Sequence, residues 1–451
     1  MKYKKVFSTT RFRTSSHNTF NIDSKQKRVL IGARPGGDNR TAFLGKVIEQ
    51  GKSSNILDYG VYCDVSFPHV VGIFGSRGSG KSFDLGVWLE GVFGAASTDE
   101  QRITDSAIVF DVQDQFWTLA YEPSQSVEAD SDQLADLLEW GLEPKLVPNV
   151  KVLVPQTSDT EVPNSETFSI SSEQLSTSDY LAILELERFS AMGQALLTLI
   201  SIYGKRTPGD LAGNCVDSPE LSGFQQSTID GLRWRLEGLD GTGLITATGV
   251  EIDLLLAPGS LTVILMRNLP EMIRGLVVGV ISRLVADRMG RVQQARKVAD
   301  RTGSPPPPDA KKLTNRLWLV LDEAHVLVPS DGQTPATAPL VDYVKRGRDA
   351  GLSLVFATQQ PSAVNSKLLS QVDITITHML GFDTDLSAAV ARMPTRSAAE
   401  YEISHERTTS MTDVLRSLGP GEAVVADGAS GRTFIAKIRP RTSAHGGATP
   451  K

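Results

Sequence analysis

The segment 69–93, HVVGIFGSRGSGKSFDLGVWLEGVF, constrains the fold more than any other part of the chain. An apolar run reads as a buried strand, a loop of Gly and Ser around one Arg follows, and Lys81 and Ser82 open a stretch with apolar residues at helical spacing. Residues 75–82, GSRGSGKS, meet every fixed position of the pattern G-x-x-x-x-G-K-[ST]. Gly75, Gly78 and Gly80 permit positive φ and close approach, so the amide N–H groups through Ser79 and Gly80 can converge on phosphate oxygens. Lys81 brings a mobile point charge to the β and γ phosphates. Ser82 offers a hydroxyl to Mg²⁺ at the start of a helix whose N-terminus also favours anions. ATP and Mg²⁺ are the expected ligands, and the strand-loop-helix belongs in an α/β fold.

Composition narrows the class. The 451 residues leave room for two or three domains, and 40% apolar residues is the content of a soluble globular chain. Cys63 and Cys215 are too few for a disulfide framework and neither lies in a C-x-x-C, which points to a reducing, cytoplasmic location. The first thirty residues lack the apolar core of a secretory signal, and the nearest approach to a membrane span, residues 254–266, is broken by Pro258 and Gly259. None of the six histidines stands at ligand spacing beside Cys or a carboxylate, which argues against zinc. A net charge of −6 leaves nucleic-acid binding open, because the local field decides it. Basic residues cluster before Arg28 and again at Arg432, Lys437, Arg439, Arg441 and Lys451, and both clusters read as solvated ends.

The chain divides as follows. Residues 1–24 form a basic N-terminal segment. In 25–68 the runs RVLIGA, AFLGKVIE and GVYCDVSF, separated by Gly, Asn and Ser, predict a small β-barrel. Residues 69–120 hold the loop and a second buried strand, SAIVFDV. Residues 121–250 read as a helical insertion: an acidic, Ser-rich stretch (123–179) precedes one long helical pattern capped by Ser178 or Asp179, and a second in which Ile229, Leu232, Leu236 and Leu239 share a face. Strand and helix patterns return over 251–436, with Pro270 at a helix start and RTGSPPPPDAKK as a linker; residues 437–451 remain as a C-terminal arm.

RLWLVLDEAHVLVP (316–329) is an apolar strand ending in two carboxylates. Ligands of a parallel sheet gather at the C-terminal strand ends, so Asp322 and Glu323 are expected to face the loop. Asp322 would hold Mg²⁺, and Glu323 would orient or deprotonate an attacking water. The letters DEAH also occur in helicases with two motor domains, but these carboxylates come more than half a chain length after Lys81, too little chain follows for a second motor, and no S-A-T motif does. Downstream, Leu340, Tyr343, Val344 and Gly347 form the inner face of a helix that starts near Pro339 and stops at Gly351. LSLVFAT is the next strand, and Gln359 at its tip can sense the γ-phosphate or the water. Arg346 and Arg348 lie in the last helical turn, where either stabilises the helix dipole or serves a neighbouring subunit as an arginine finger.

Taken in order, FPHVVGIFGSRGSGKS (67–82), IVFDVQDQFWTL (108–119), LWLVLDEAHVLV (317–328), KRGRDAG (345–351), ATQQPSAVNSKLLSQVD (357–373) and RPRTSAHGG (439–447) make the chain similar to the HerA-type ATPases of the HerA/FtsK group of hexameric DNA translocases. The resemblance covers roughly 25–120 and 225–447. It implies a RecA-like P-loop NTPase core, an N-terminal barrel of the HAS type, an interrupting helical bundle, and a C-terminal arm over the adjacent subunit's nucleotide. It also implies a homohexamer that threads double-stranded DNA, using ATP and Mg²⁺, beside a nuclease or an effector of anti-phage defence. The alternative is a regulatory or scaffolding ATPase ring that holds and switches an effector protein. Carried over by residue, Lys81 and Ser82 bind phosphate and Mg²⁺, Asp322 and Glu323 are the Walker B pair, Arg348 is the finger and Gln359 the sensor. The family's D-P-x-G-E-Y-like string is replaced by DVQDQFW (111–117), which keeps Asp111 but puts Gln115 at the glutamate position; Glu323 is expected to suffice.

Overall fold

The runs LTVIL, LWLVL and LSLVFAT have no polar face to offer water, so a strand made from any of them must be covered on both sides. The computed structural model, which describes residues 21–34, 40–49, 56–94, 104–158, 161–394, 401–403, 406–408 and 410–446, places all three in the middle of one long mixed sheet. Its strands in chain order are β1 (Asn21–Asp23), β2 (Arg28–Ile31), β3 (Thr41–Val47), β4 (Gly60–Asp64), β5 (Val70–Phe74), β6 (Ser106–Asp111), β7 (Val150–Pro155) and β8 (Ser165–Phe168). They continue as β9 (Leu261–Leu265), β10 (Leu317–Leu321), β11 (Leu352–Thr358), β12 (Ile374–Thr377), β13 (Glu422–Asp427) and β14 (Arg432–Ile438). The spatial order is β1-β2-β4-β3-β14-β13-β12-β5-β11-β10-β6-β9-β7-β8. From β12 to β8 every neighbouring pair is parallel.

Helices α1 (Lys81–Val92), α2 (Thr177–Ile183), α3 (Ala191–Tyr203), α4 (Pro208–Asp217), α5 (Gln226–Asp240), α6 (Glu271–Thr302) and α7 (Thr337–Ala350) pack around this sheet. Strand side chains alternate between two cores. Val109, Val263, Trp318, Val320 and Val355 meet Leu85, Trp88 and Leu89 of α1 on one face, with the Trp88 and Trp318 rings 5.8 Å apart. Ile108, Phe110, Leu319, Leu321 and Phe356 meet Leu276 and Ile281 of α6 and Leu340 and Tyr343 of α7 on the other. Each large apolar side chain fully buried in these layers contributes about 1.5–3 kcal/mol.

Three expectations change. The pattern read as a single helix from residue 178 is two helices, because Glu185 adopts a left-handed φ of 52° and Ser190 starts a new cap. Asp179 is therefore not the cap of α2; it is the third residue of a capping box whose cap is Ser176. The insertion is also not wholly helical. Within the acidic stretch, VKVLVP carries enough β-branched and apolar residues to add β7 to the sheet beside β9, and β8 extends it. The strands read as a separate barrel join the sheet's edge through β3 and β14, and among the described residues no pairing closes them. The basic segment before residue 21 lies outside the described residues.

Two of the C-terminal basic residues are not solvated. After β14 the chain crosses α1, and Arg439 and Arg441 are fully buried there around Glu90. Glu90 accepts hydrogen bonds from Arg439 Nη1 (2.7 Å), Thr442 N (3.0 Å), Ser443 N (2.9 Å) and Ser443 Oγ (2.6 Å). Glycine is required at position 86, since a Cβ there would stand 2.6 Å from Arg441 Nε. Within this chain residues 439–446 form a strap across α1, because buried charges must find partners and Glu90 supplies them. Burial alone would raise the Glu90 pKa, but the two guanidinium groups and the Ser443 and Thr442 donors outweigh it and hold the carboxyl below its ordinary value. Stability from Glu90 is therefore complete above the ordinary pKa of 4.5 and is lost as pH falls through the lowered one. Arg439→Ala leaves that carboxylate buried without its nearest counter-charge, which should cost about 3–5 kcal/mol in a denaturant melt at neutral pH. A loss under about 1 kcal/mol would mean that the strap does not hold the fold.

Candidate active site

The order β5-β11-β10-β6 sets four C-terminal strand tips side by side, and each delivers one part of the site. From β5 comes the loop 75–80. Gly78 and Gly80 take φ of 76° and 109°, the latter at the N-cap of α1. No side chain caps α1, so its first N–H groups are left to a ligand. Gly75 allows Ser79 to fold close, since a Cβ there would come within 2.3 Å of Ser79 Oγ, a buried hydroxyl with no hydrogen-bond partner. Lys81 is buried, with Nζ 3.0 Å from the Ser76 carbonyl oxygen. Burial lowers its pKa, opposed by the carboxylates of Glu323 and Asp322.

From β10 come Asp322 and Glu323. Ser82 Oγ donates to Asp322 Oδ2 at 3.0 Å, and the Glu323 N–H donates to Asp322 Oδ1 at 3.0 Å. Burial, then the neighbouring Glu323 charge, pushes the Asp322 carboxyl up to about 6, against the Ser82 hydroxyl, the Glu323 N–H and Lys81. Glu323 sits at φ 51°, a conformation that costs a non-glycine residue of order 1 kcal/mol and recurs at functional sites. Its Oε2 is buried without a hydrogen-bond partner, 3.4 Å from His325 Nδ1. Burial and Lys81 lower the His325 pKa against the nearby carboxylates, and its Nδ1 also lies 3.1 Å from Thr358 Oγ1. From β11 comes Gln359, whose Nε2 is 3.5 Å from Glu323 Oε1.

From β6 comes the segment 111–116. Asp111 is fully buried and both its oxygens are engaged, accepting from the N–H groups of Gln113 (3.1 Å), Gln115 (2.8 Å) and Phe116 (2.8 Å). It shapes this turn. Gln113, not singled out in the sequence, is the residue of this turn that reaches the site, with Nε2 3.4 Å from Glu323 Oε1. Two further groups were missed. His378 lies beneath the loop, with Nε2 2.7 Å from Asp84 Oδ2 and Nδ1 3.0 Å from the Glu422 carbonyl oxygen. His445 of the strap packs edge-on against Phe83, ring centroids 5.3 Å apart, one residue from Ser82. Each is an isolated histidine in sequence, and only contacts between distant segments give it a place.

Arg348 is exposed at the far end of α7, and Arg346 beside it is paired with Asp287 (2.6 Å) and Asp342 (2.7 Å). The end of α7 abuts the start of β10, with the Leu317 N–H donating to the Gly351 carbonyl at 2.9 Å, so both arginines are on the opposite side of the sheet from the loop. Polyphosphate and a divalent cation fit the four tips. The uncapped helix and left-handed glycines form an anion cradle. Ser82 and Asp322 supply hard oxygens of the kind Mg²⁺ takes, in the small number it needs when phosphates complete its shell. Among the described residues no cluster of three or more His, Cys, Asp or Glu offers an all-protein metal cage.

The family model of the helicase HerA-like C-terminal domain matches residues 306–441. The DNA double-strand break repair helicase HerA of Pyrococcus furiosus is 24% identical over 223 residues, which are 46% of this chain and 38% of that protein. A probable helicase of the same name from Methanocaldococcus jannaschii is 27% identical over 139 residues, 30% of this chain and 25% of the relative. The chain thus aligns with well under half the length of these curated relatives. Among solved structures, VirB4 of Thermoanaerobacter pseudethanolicus superposes with a TM-score of 0.53 at 16% identity, covering 89% of this chain and 97% of that one. The plasmid coupling protein TrwB in complex with ADP and Mg²⁺ gives 0.53 at 14% identity, covering 92% and 97%. The fold shared with these neighbours is that of a RecA-like P-loop NTPase core, and the resemblance to HerA-type ATPases of the HerA/FtsK group is borne out.

Lys81→Ala removes charged hydrogen bonds worth about 1.5–3 kcal/mol, so ATP affinity should fall roughly 10- to 150-fold in a fluorescence titration. Unchanged affinity would place the nucleotide elsewhere.

Proposed function

We propose that this HerA-type ATPase is a ring-forming motor that hydrolyses ATP with Mg²⁺ and moves along duplex DNA. The observation that carries the reading is the separation of the site's parts. Lys81, Ser82, Asp322, Glu323 and Gln359 share one cluster of strand tips, whereas Arg348, with no ion pair among the described residues, stands beyond the other end of the seven-residue β11, about 20 Å away at strand rise. A second copy would be placed to bring it to a phosphate. Arg346 is the poorer finger, since Asp287 and Asp342 already hold it.

Mg²⁺ held at this site would supply charge neutralisation for transfer of the γ-phosphoryl group. Lys81 and the loop N–H groups would hold the phosphates, and Ser82 and Asp322 would hold the ion. Glu323 would orient the attacking water and accept its proton at Oε2. Gln359 follows β11 and Arg348 lies just before it, so one strand spans from the tip beside Glu323 to the end of α7. The nucleotide and Mg²⁺ named with TrwB support these ligands, and the repair helicases among the relatives support DNA as the track. The resemblance further implies a hexamer and an effector, a nuclease or a defence protein, acting on the DNA that the ring delivers. Two buried, unpaired cysteines fit a reducing cytoplasm, and among the described residues no helix is long and apolar enough to cross a membrane.

ATP turnover should rise several-fold on addition of long duplex DNA and lose that stimulation steeply with salt, because backbone contacts release counterions. A rate indifferent to DNA would favour a ring that switches an effector. Arg348→Ala should lower turnover by about 10³- to 10⁵-fold if the arginine is a finger. Mixing Arg348→Ala with Lys81→Ala subunits should restore part of it, since some interfaces regain an intact loop and an intact arginine. Failure to recover despite co-assembly would contradict action in trans.

A further inference from the structure

We propose that Gln113 is a positioning residue for Glu323, fixing the catalytic carboxylate through a chain of side-chain amides; the inference rests on the ATP-hydrolysing reading above. Gln115 Nε2 donates to Gln113 Oε1 at 2.8 Å, which leaves Gln113 Nε2 to face Glu323 Oε1 at 3.4 Å. The reverse orientation would set an amide oxygen against a carboxylate oxygen and two N–H groups against each other. The chain has a rigid root, because Asp111 grips the backbone N–H groups of Gln113 and Gln115. It is braced from outside as well. Thr118 Oγ1 lies 3.0 Å from the Gln115 carbonyl oxygen and 2.8 Å from that of Ala444 in the strap.

Gln113 and Gln359 thus approach the same oxygen, Oε1, from two neighbouring strand tips, β6 and β11, on either side of β10. Oε2 is left without a hydrogen bond and can accept one from water. Both contacts are long, as catalytic hydrogen bonds often are before substrate binds. The amides carry no charge, so they hold the carboxylate without adding a second acid beside it. The β6 turn thus positions an acid contributed by another strand.

The test compares Gln113→Ala and Gln113→Glu with the wild type. Both variants should lower kcat about tenfold or more while the KM for ATP stays within about twofold, because a misplaced general base slows the chemical step and leaves phosphate binding intact. Gln113→Glu keeps the shape but replaces a donor by an acceptor, so a role in packing alone would spare it. Affinity for Mg²⁺·ADP·aluminium fluoride, which mimics the transferring phosphoryl group, should fall by a similar factor while affinity for Mg²⁺·ADP is unchanged. Melting temperatures within a few degrees of wild type exclude misfolding; if Gln113→Glu fails to fold, Gln113→Ala and the two affinities decide. A kcat within twofold of wild type, or a raised KM at constant kcat, overturns the inference. Wild-type protein that binds Mg²⁺·ATP without hydrolysing it overturns the reading beneath it, a result distinct from either.

Discussion

The hydrogen bond from Ser82 to Asp322 joins residues 240 apart in the chain, and the site depends on it. A carboxylate at the buried end of an apolar strand is unstable unless something donates to it or a cation sits on it. Here the donor is the first hydroxyl of the helix that the phosphate loop opens. That contact needs β5 and β10 to run parallel with only β11 between them, which is the strand order observed. The same order brings Gln359 up between the loop and the acids, and sets the β6 turn on the far side of Glu323. Sheet topology, more than any single loop conformation, assembles the chemistry.

The strap gives the loop helix a second anchor. Glu90 is on α1 about two and a half turns beyond Lys81, and its partners Arg439, Thr442 and Ser443 come from the last described segment of the chain. Since the same segment touches Phe83 through His445 and the β6 turn through Ala444, the phosphate loop and the turn carrying Gln113 are held by one piece of backbone. His445, pushed down to about 4 by burial and the Arg441 charge, is neutral in this contact. The neutral ring can therefore pack against Phe83 without a charge to solvate.

Much of the site was legible from sequence because its parts obey local rules. A glycine loop between a strand and a helix has one common use, and an apolar strand ending in two acids places them at a known end of a parallel sheet. Gln359 and the inner face of α7 followed from the same periodicity. What was not legible depends on contacts between distant segments. Gln113 is one of four polar residues in DVQDQ, and only the grip of Asp111 on the turn decides that it, and not Gln115, faces Glu323. Arg439 and Arg441 carry the signature of a solvated tail; their burial requires Glu90, which in the helical pattern reads as an ordinary polar position. β7 was hidden by acidic neighbours, and its edge-on partner β9 lies more than a hundred residues away.

The central claim is a division of labour between adjacent acids, Asp322 for the ion and Glu323 for the water. Single-turnover analysis of Glu323→Gln tests it most directly, because the amide keeps the shape but cannot take a proton. The account predicts that this variant binds ATP as tightly as wild type and keeps it unhydrolysed, with turnover down a hundredfold or more. Conversion of bound ATP to ADP at the wild-type rate would contradict it.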